Sequence, residues 1–270
     1  MPDLKLGEIS YFWREAGTGP VPAHFIHCSL ASSRAWGATM AEFSNDLTIS
    51  AIDLPGHGRT DMPLEDVDIQ QQALQASIAV IERGDKPVHL LGHSFGGAVA
   101  LRIALERPDL VLSLAMVEPI IFAVLDDAGH PAFDDVKRTE GPIQALLDKG
   151  ENRAAAKLFL DRWGTGGEWD SMSEERKQIM ISRIWFVTRS RASVMERNDA
   201  RMHLQDMYGV KAPTLLMRGG ISPESIKNVN DTLCAALPNA RQVVIQGAGH
   251  MLPLTHSAEF FALLREFWQP

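Results

Sequence analysis

Residues 88–98 read Val-His-Leu-Leu-Gly-His-Ser-Phe-Gly-Gly-Ala. A short apolar run ends in Gly92-His93-Ser94-Phe95-Gly96, and a helical pattern over 97–106 follows at once. This is strand, tight turn and helix with a serine at the apex, an arrangement that projects the hydroxyl above a sheet as a nucleophile. The flanking glycines suit a turn where strand and helix backbones approach too closely for a Cβ. The pentad alone would arise by chance in about one chain of this length in ten, given glycine near 7%. Its flanks and its partners give it meaning.

A serine hydroxyl attacks poorly at neutral pH unless a base lies within hydrogen-bond reach. Histidine is the usual base, with an ordinary pKa of about 6.5. Among the nine histidines, His250 is best placed, following the last predicted strand in Val243-Val244-Ile245-Gln246-Gly247-Ala248-Gly249-His250. A carboxylate must then orient the imidazole, and the expected chain order is serine, acid, histidine. Two candidates fit. Glu118 stands directly after the run 112–117, and Glu224 lies further out in Arg218-Gly219-Gly220-Ile221-Ser222-Pro223-Glu224, a loop without aspartate. A tetrahedral intermediate also needs two backbone donors for its oxyanion. Phe95, just after the nucleophile, is one candidate; the other comes from His27-Cys28-Ser29-Leu30, with Ser29 favoured and Leu30 the alternative. His27 reads as a brace for that loop.

These residues need a scaffold that brings positions 27, 94, 118 and 250 together. Residues 4–15 alternate about Gly7 as a starting hairpin. Short apolar runs follow at 23–26, 47–52, 88–91, 112–117, 214–217 and 242–245, separated by helical patterns such as 70–83 and 228–237. Alternating strands and helices imply an α/β doubly wound, mostly parallel sheet of eight strands, and continuous apolar runs suit strands covered on both faces. Ligands of such sheets bind at the carboxyl ends of the strands. From 120 to 208 the rhythm breaks into helices and loops, which predicts a helical cap inserted after the sixth strand, with 1–119 and 209–270 as the core. Within it, 151–163 reads as a helix, and Ser171-Met172-Ser173-Glu174 as a capping box opening another towards Trp185. The cap is rich in tryptophan and methionine, suited to packing and, in part, to an adaptable apolar acyl pocket.

Composition narrows the function classes. The chain has 270 residues, 45% hydrophobic and 22% charged, with net charge −8. That balance argues against nucleic acid or an anionic membrane as partner. Cys28 and Cys234 fit no metal spacing and suit a reducing, cytoplasmic setting; neither a signal peptide nor a membrane span is visible. No metal or cofactor is implied, and a homodimer is left open.

Together these residues resemble the α/β-hydrolase superfamily, specifically its small capped esterases, lactonases and carbon–carbon bond hydrolases. The likeness rests on 27–36, on Asp53-Leu54-Pro55-Gly56-His57-Gly58-Arg59-Thr60, on Gly92 to Gly97, and on Gly247-Ala248-Gly249-His250. In that family the Asp53 loop is structural. Cys28 stands where the family usually has glycine, and the usual aspartate after the strand at 214–217 is missing; a subset places the acid one strand earlier, which the resemblance extends to Glu118. The resemblance implies a serine hydrolase that cleaves a small ester or lactone through an acyl-enzyme, using Ser94, His250 and Glu118. The alternatives are carbon–carbon bond hydrolysis or cofactor-free perhydrolysis on the same residues, or a non-catalytic ligand-binding member of the fold.

Overall fold

The structure, a computed structural model, describes residues 3–195 and 202–269. The chain opens with β1 (Asp3–Leu6) and β2 (Ile9–Ala16), a hairpin turning at Gly7 with φ of 59°. Then come β3 (Val21–Ile26), α1 (Gly37–Glu42), β4 (Leu47–Ile52), α2 (Ile69–Ile81), β5 (Val88–His93), α3 (Phe95–Glu106) and β6 (Val111–Val117). Among the described residues, six α-helices lie between β6 and the next strand: α4 (Ala123–Asp127), α5 (Ala132–Asp148), α6 (Asn152–Trp163), α7 (Glu168–Ser171), α8 (Glu174–Arg183) and α9 (Trp185–Met195). The chain closes with β7 (Thr214–Gly219), α10 (Glu224–Ala236), β8 (Ala240–Ile245), α11 (Leu252–Thr255) and α12 (Ser257–Trp268).

The eight strands form one sheet in the order β1-β2-β4-β3-β5-β6-β7-β8, antiparallel at β1–β2–β4 and parallel from β4 onward. Period-two geometry explains the continuous apolar runs. Leu114 and Met116 of β6 face one buried cluster with α2, α3 and α10, while Ala115 and Val117 face another with α1 and α12. Both faces are covered, so both sets must be apolar. The chain leaves β3 for β4 on one side and returns to β5 on the other. This places a topological switch point between β3 and β5, where their carboxyl ends open a crevice.

Most predicted elements shift only at their ends. One cap differs: α8 begins at Glu174 with Ser173 as N-cap, its side chain accepting from the Arg176 amide, so the expected box at Ser171 and Glu174 does not form. Ser171 instead ends α7, and the extended Met172 separates the two helices. Among the described residues of the interval 120–208 there is no strand; 196–201, within the expected cap, lie outside the described residues.

Candidate active site

Three non-glycine residues among those described have positive φ: Leu30 at 62°, Ser94 at 56° and Glu118 at 46°. They stand just past β3, β5 and β6. Such conformations cost about 1–3 kcal/mol each and persist where the surroundings over-determine them, a pattern typical of functional sites. Their convergence marks this crevice independently of any motif.

Ser94 is held by its own backbone, its N–H donating to Val117 O at 2.8 Å and its carbonyl accepting from Gly97 N at 2.9 Å. The steric reading of the glycines holds. A Cβ on Gly92 would lie 2.3 Å from Gly96 O, and one on Gly96 would lie 2.2 Å from Ile26 O. Glycine is thus what lets β5, α3 and β3 close on the turn. Phe95 is the first residue of α3, so its N–H points free of intrahelical bonding, at the positive end of the helix.

The two candidate acids separate cleanly. Glu118 is fully buried and its Oε2 accepts from His250 Nδ1 at 2.7 Å. Glu224 opens α10 with its side chain 76% exposed, near Lys227. The loop after β7 still contributes. Gly219 N donates to Glu118 Oε1 at 2.6 Å, and Ser222 Oγ donates to the same oxygen. The loop that carries no aspartate therefore supplies donors to a carboxylate from the neighbouring strand. Sequence reasoning missed Ser222; its one signal was a polar residue in a loop at a strand's carboxyl end.

His250 is buried, its carbonyl accepting from His93 Nε2 at 2.9 Å and its ring 4.8 Å from that of Trp163. With Nδ1 committed to Glu118, Nε2 is left towards the cavity that His250 and Ser94 both line.

The loop after β3 is braced by the segment 53–60. His57 donates from Nδ1 to Pro55 O at 2.9 Å and accepts from Leu30 N at Nε2, 3.0 Å. Leu30 N is thereby engaged, which leaves Ser29 as the candidate amide donor of the two. His27 braces as expected, donating to Cys28 O at 2.7 Å and accepting from Leu54 N at 3.0 Å. Asp53 takes the Ser33 amide at 2.7 Å and the Arg59 amide at 2.9 Å. Arg183, at the end of α8, donates to Leu30 O at 3.2 Å and Ala31 O at 3.0 Å. The strained Leu30 is thus pinned at its N–H by His57 and at its carbonyl by a residue of the inserted helices. Cys28 is buried, and burial pushes its thiol up to about 12.

Burial keeps several histidines neutral. It lowers His24 and His57 to about 3 and His27 to about 4, and holds His93 well below its ordinary value. Neutral rings are what allow His27 and His57 to accept backbone amides. Because the folded values lie below that of the unfolded chain, stability is full above about pH 6.5 and falls as protons bind preferentially to the unfolded state. Each such histidine costs about 1.4 kcal/mol per pH unit below that point. Four together reach several kcal/mol near pH 5.5, a large share of ordinary domain stability. Melting temperature should therefore fall steeply between pH 6.5 and 5; a flat profile by calorimetry across that window would contradict it.

Two chambers meet at Ser29 and Ser94 and share Phe159 and Trp163. The outer, about 480 Å³, runs along the loop 28–32, α8 and His250. The inner, about 50 Å³, lies between α5, α6, α9 and the segment after β6.

The sequence profile of the alpha/beta hydrolase family matches residues 25–263. The chain is 22% identical over 245 residues to an (E)-2-((N-methylformamido)methylene)succinate hydrolase of Acinetobacter baylyi, covering 89% of this chain and 87% of that one. It is 29% identical over 245 residues to a pimeloyl-[acyl-carrier protein] methyl ester esterase of Neisseria meningitidis serogroup A, covering 90% and 75%. Est816, described as an N-acyl homoserine lactone degrading enzyme, superposes with a TM-score of 0.76 at 21% identity, covering 98% of this chain and all of that one. That last likeness carries the fold.

Proposed function

The chain belongs to the alpha/beta hydrolase family, and we propose that it is a serine hydrolase cleaving a small ester or lactone through an acyl-enzyme. The observation that carries this reading is the buried 2.7 Å bond from His250 Nδ1 to Glu118, in the same crevice as the strained Ser94. An imidazole so held presents Nε2 as base to the serine. Ser94 Oγ bonds to the carbonyl carbon while His250 takes its proton. The C–O bond to the alcohol then breaks, and His250 returns the proton to the departing oxygen. Water repeats the sequence, releasing the carboxylic acid and restoring Ser94. The Ser29 and Phe95 amides hold the oxyanion, each worth about 3 kcal/mol at comparable sites. The helices after β6 act as a cap over the crevice. Relatives named as an esterase and a hydrolase agree with this chemistry. Turnover of p-nitrophenyl acetate, with a fluorophosphonate adduct mapped by mass spectrometry to Ser94, tests it; folded protein giving neither would refute it.

Arg183 follows as a positioning residue. Its guanidinium holds the Leu30 and Ala31 carbonyls, next along the chain from Ser29, and so fixes the loop that carries the Ser29 amide; small misplacements of such a donor cost up to about 10²-fold in rate. Arg183→Ala should lower kcat about 10- to 100-fold with KM little changed, and added guanidinium should restore part of it. A loss confined to KM would place Arg183 in substrate binding instead.

A further inference from the structure

The two chambers differ in one respect that decides how a substrate lies: His250 lines only the outer one. On the serine-hydrolase reading, the route of the proton orients the substrate. The histidine that takes the proton from Ser94 must deliver it to the leaving oxygen, so the alcohol portion lies on the His250 side. The acyl carbon, bonded to Ser94, then directs its chain away from His250, into the inner chamber. We propose that the inner chamber is the acyl subsite and the outer chamber the alcohol subsite, so that the preferred substrates are short-chain acyl esters of bulky alcohols.

Size sets the limit. An inner chamber of about 50 Å³ has room for about three or four water-sized groups, which is the three-carbon tail of a butyryl group with its carbonyl at Ser94. Its walls resist expansion: Phe122, Val194 and Met195 are buried in the main apolar cluster, where overpacking costs about 1–3 kcal/mol. Glu140 and Gln144 of α5 also line it, and Glu140 is paired with Arg162 Nε at 2.5 Å. A longer alkyl chain would press against that polar wall without satisfying it. The outer chamber has the opposite character. It is nearly tenfold larger and is edged by Ile179 and Leu254, 41% and 52% exposed, so a large alcohol can extend into solvent.

The test compares kcat/KM across p-nitrophenyl acetate, butyrate, hexanoate and octanoate, and across the ethyl, benzyl and 2-naphthyl esters of acetic acid. Expected is at least a tenfold fall from butyrate to hexanoate, with acetates holding or rising as the alcohol grows. Activity that holds or rises to octanoate, or methyl octanoate turned over better than 2-naphthyl acetate, overturns the assignment while leaving the serine-hydrolase reading intact. No turnover of any ester and no Ser94 adduct overturns both. Met195→Ala, which enlarges only the inner chamber, should move the cut-off to hexanoate, and an unchanged profile in folded variant would count against the inner chamber as acyl subsite. Leu254→Ala should raise KM for 2-naphthyl acetate without altering the acyl cut-off; a shifted cut-off would contradict the partition.

Discussion

Ser94→Ala is expected to lower kcat/KM for p-nitrophenyl acetate by at least about 10⁴-fold, with the fold retained. Alanine occupies the φ of 56° at a backbone cost close to that of serine, and the turn is held by main-chain bonds to Val117 and Gly97 that the substitution leaves in place. What disappears is the atom that, in the proposed mechanism, forms the acyl-enzyme. The oxyanion donors remain, so a residual rate above that of water should persist. Steady-state kinetics beside a thermal melt check both halves. Near-native turnover in well-folded S94A would remove Ser94 from the chemistry.

Glu118→Gln should cost about 10³- to 10⁴-fold in kcat, for a reason visible in the hydrogen bonds. Gly219 N–H is a fixed donor to Glu118 Oε1, with the Ser222 hydroxyl beside it. In the glutamine variant the amide oxygen is drawn to those donors, which turns the NH₂ towards His250. Nδ1 must then accept, the proton moves to Nε2, and the imidazole can no longer take one from Ser94. Glu224→Gln, exposed beside Lys227, should stay within twofold of the parent. Stopped assays of both variants decide it: a loss in Glu224→Gln alone would reverse the choice of acid.

Much of this was legible from residues alone, and the reasons are specific. The elbow shows because a strand, a tight turn and a helix compressed into eleven residues demand Gly92 and Gly96, and the structure measures the clash they avoid. The strands show because both faces are covered, so they read as unbroken apolar runs. The helix α5 shows poorly, since Gly141-Pro142 inside it looks like a stop while the helix continues through. The misjudged cap at Ser171 has a related cause: Ser171 and Ser173 both precede Glu174, and only the placement of the short α7 selects the second.

Sequence by itself determined the fold class, the family and the short set of residues able to do acyl chemistry. Those depend on local pattern: periodicity, steric demands of a turn, and the order in which chemical groups occur along the chain. Tertiary structure decided how these groups associate. Glu118 meets His250 across a sequence separation of 132, and Ser222 supports it from a third loop, because parallel strands deliver their carboxyl ends to one crevice. His57 engages Leu30, and Arg183 reaches that loop from the inserted helices. None of these pairings has a sequence spacing to read, since each is set by how the sheet is ordered and how the inserted helices pack on it.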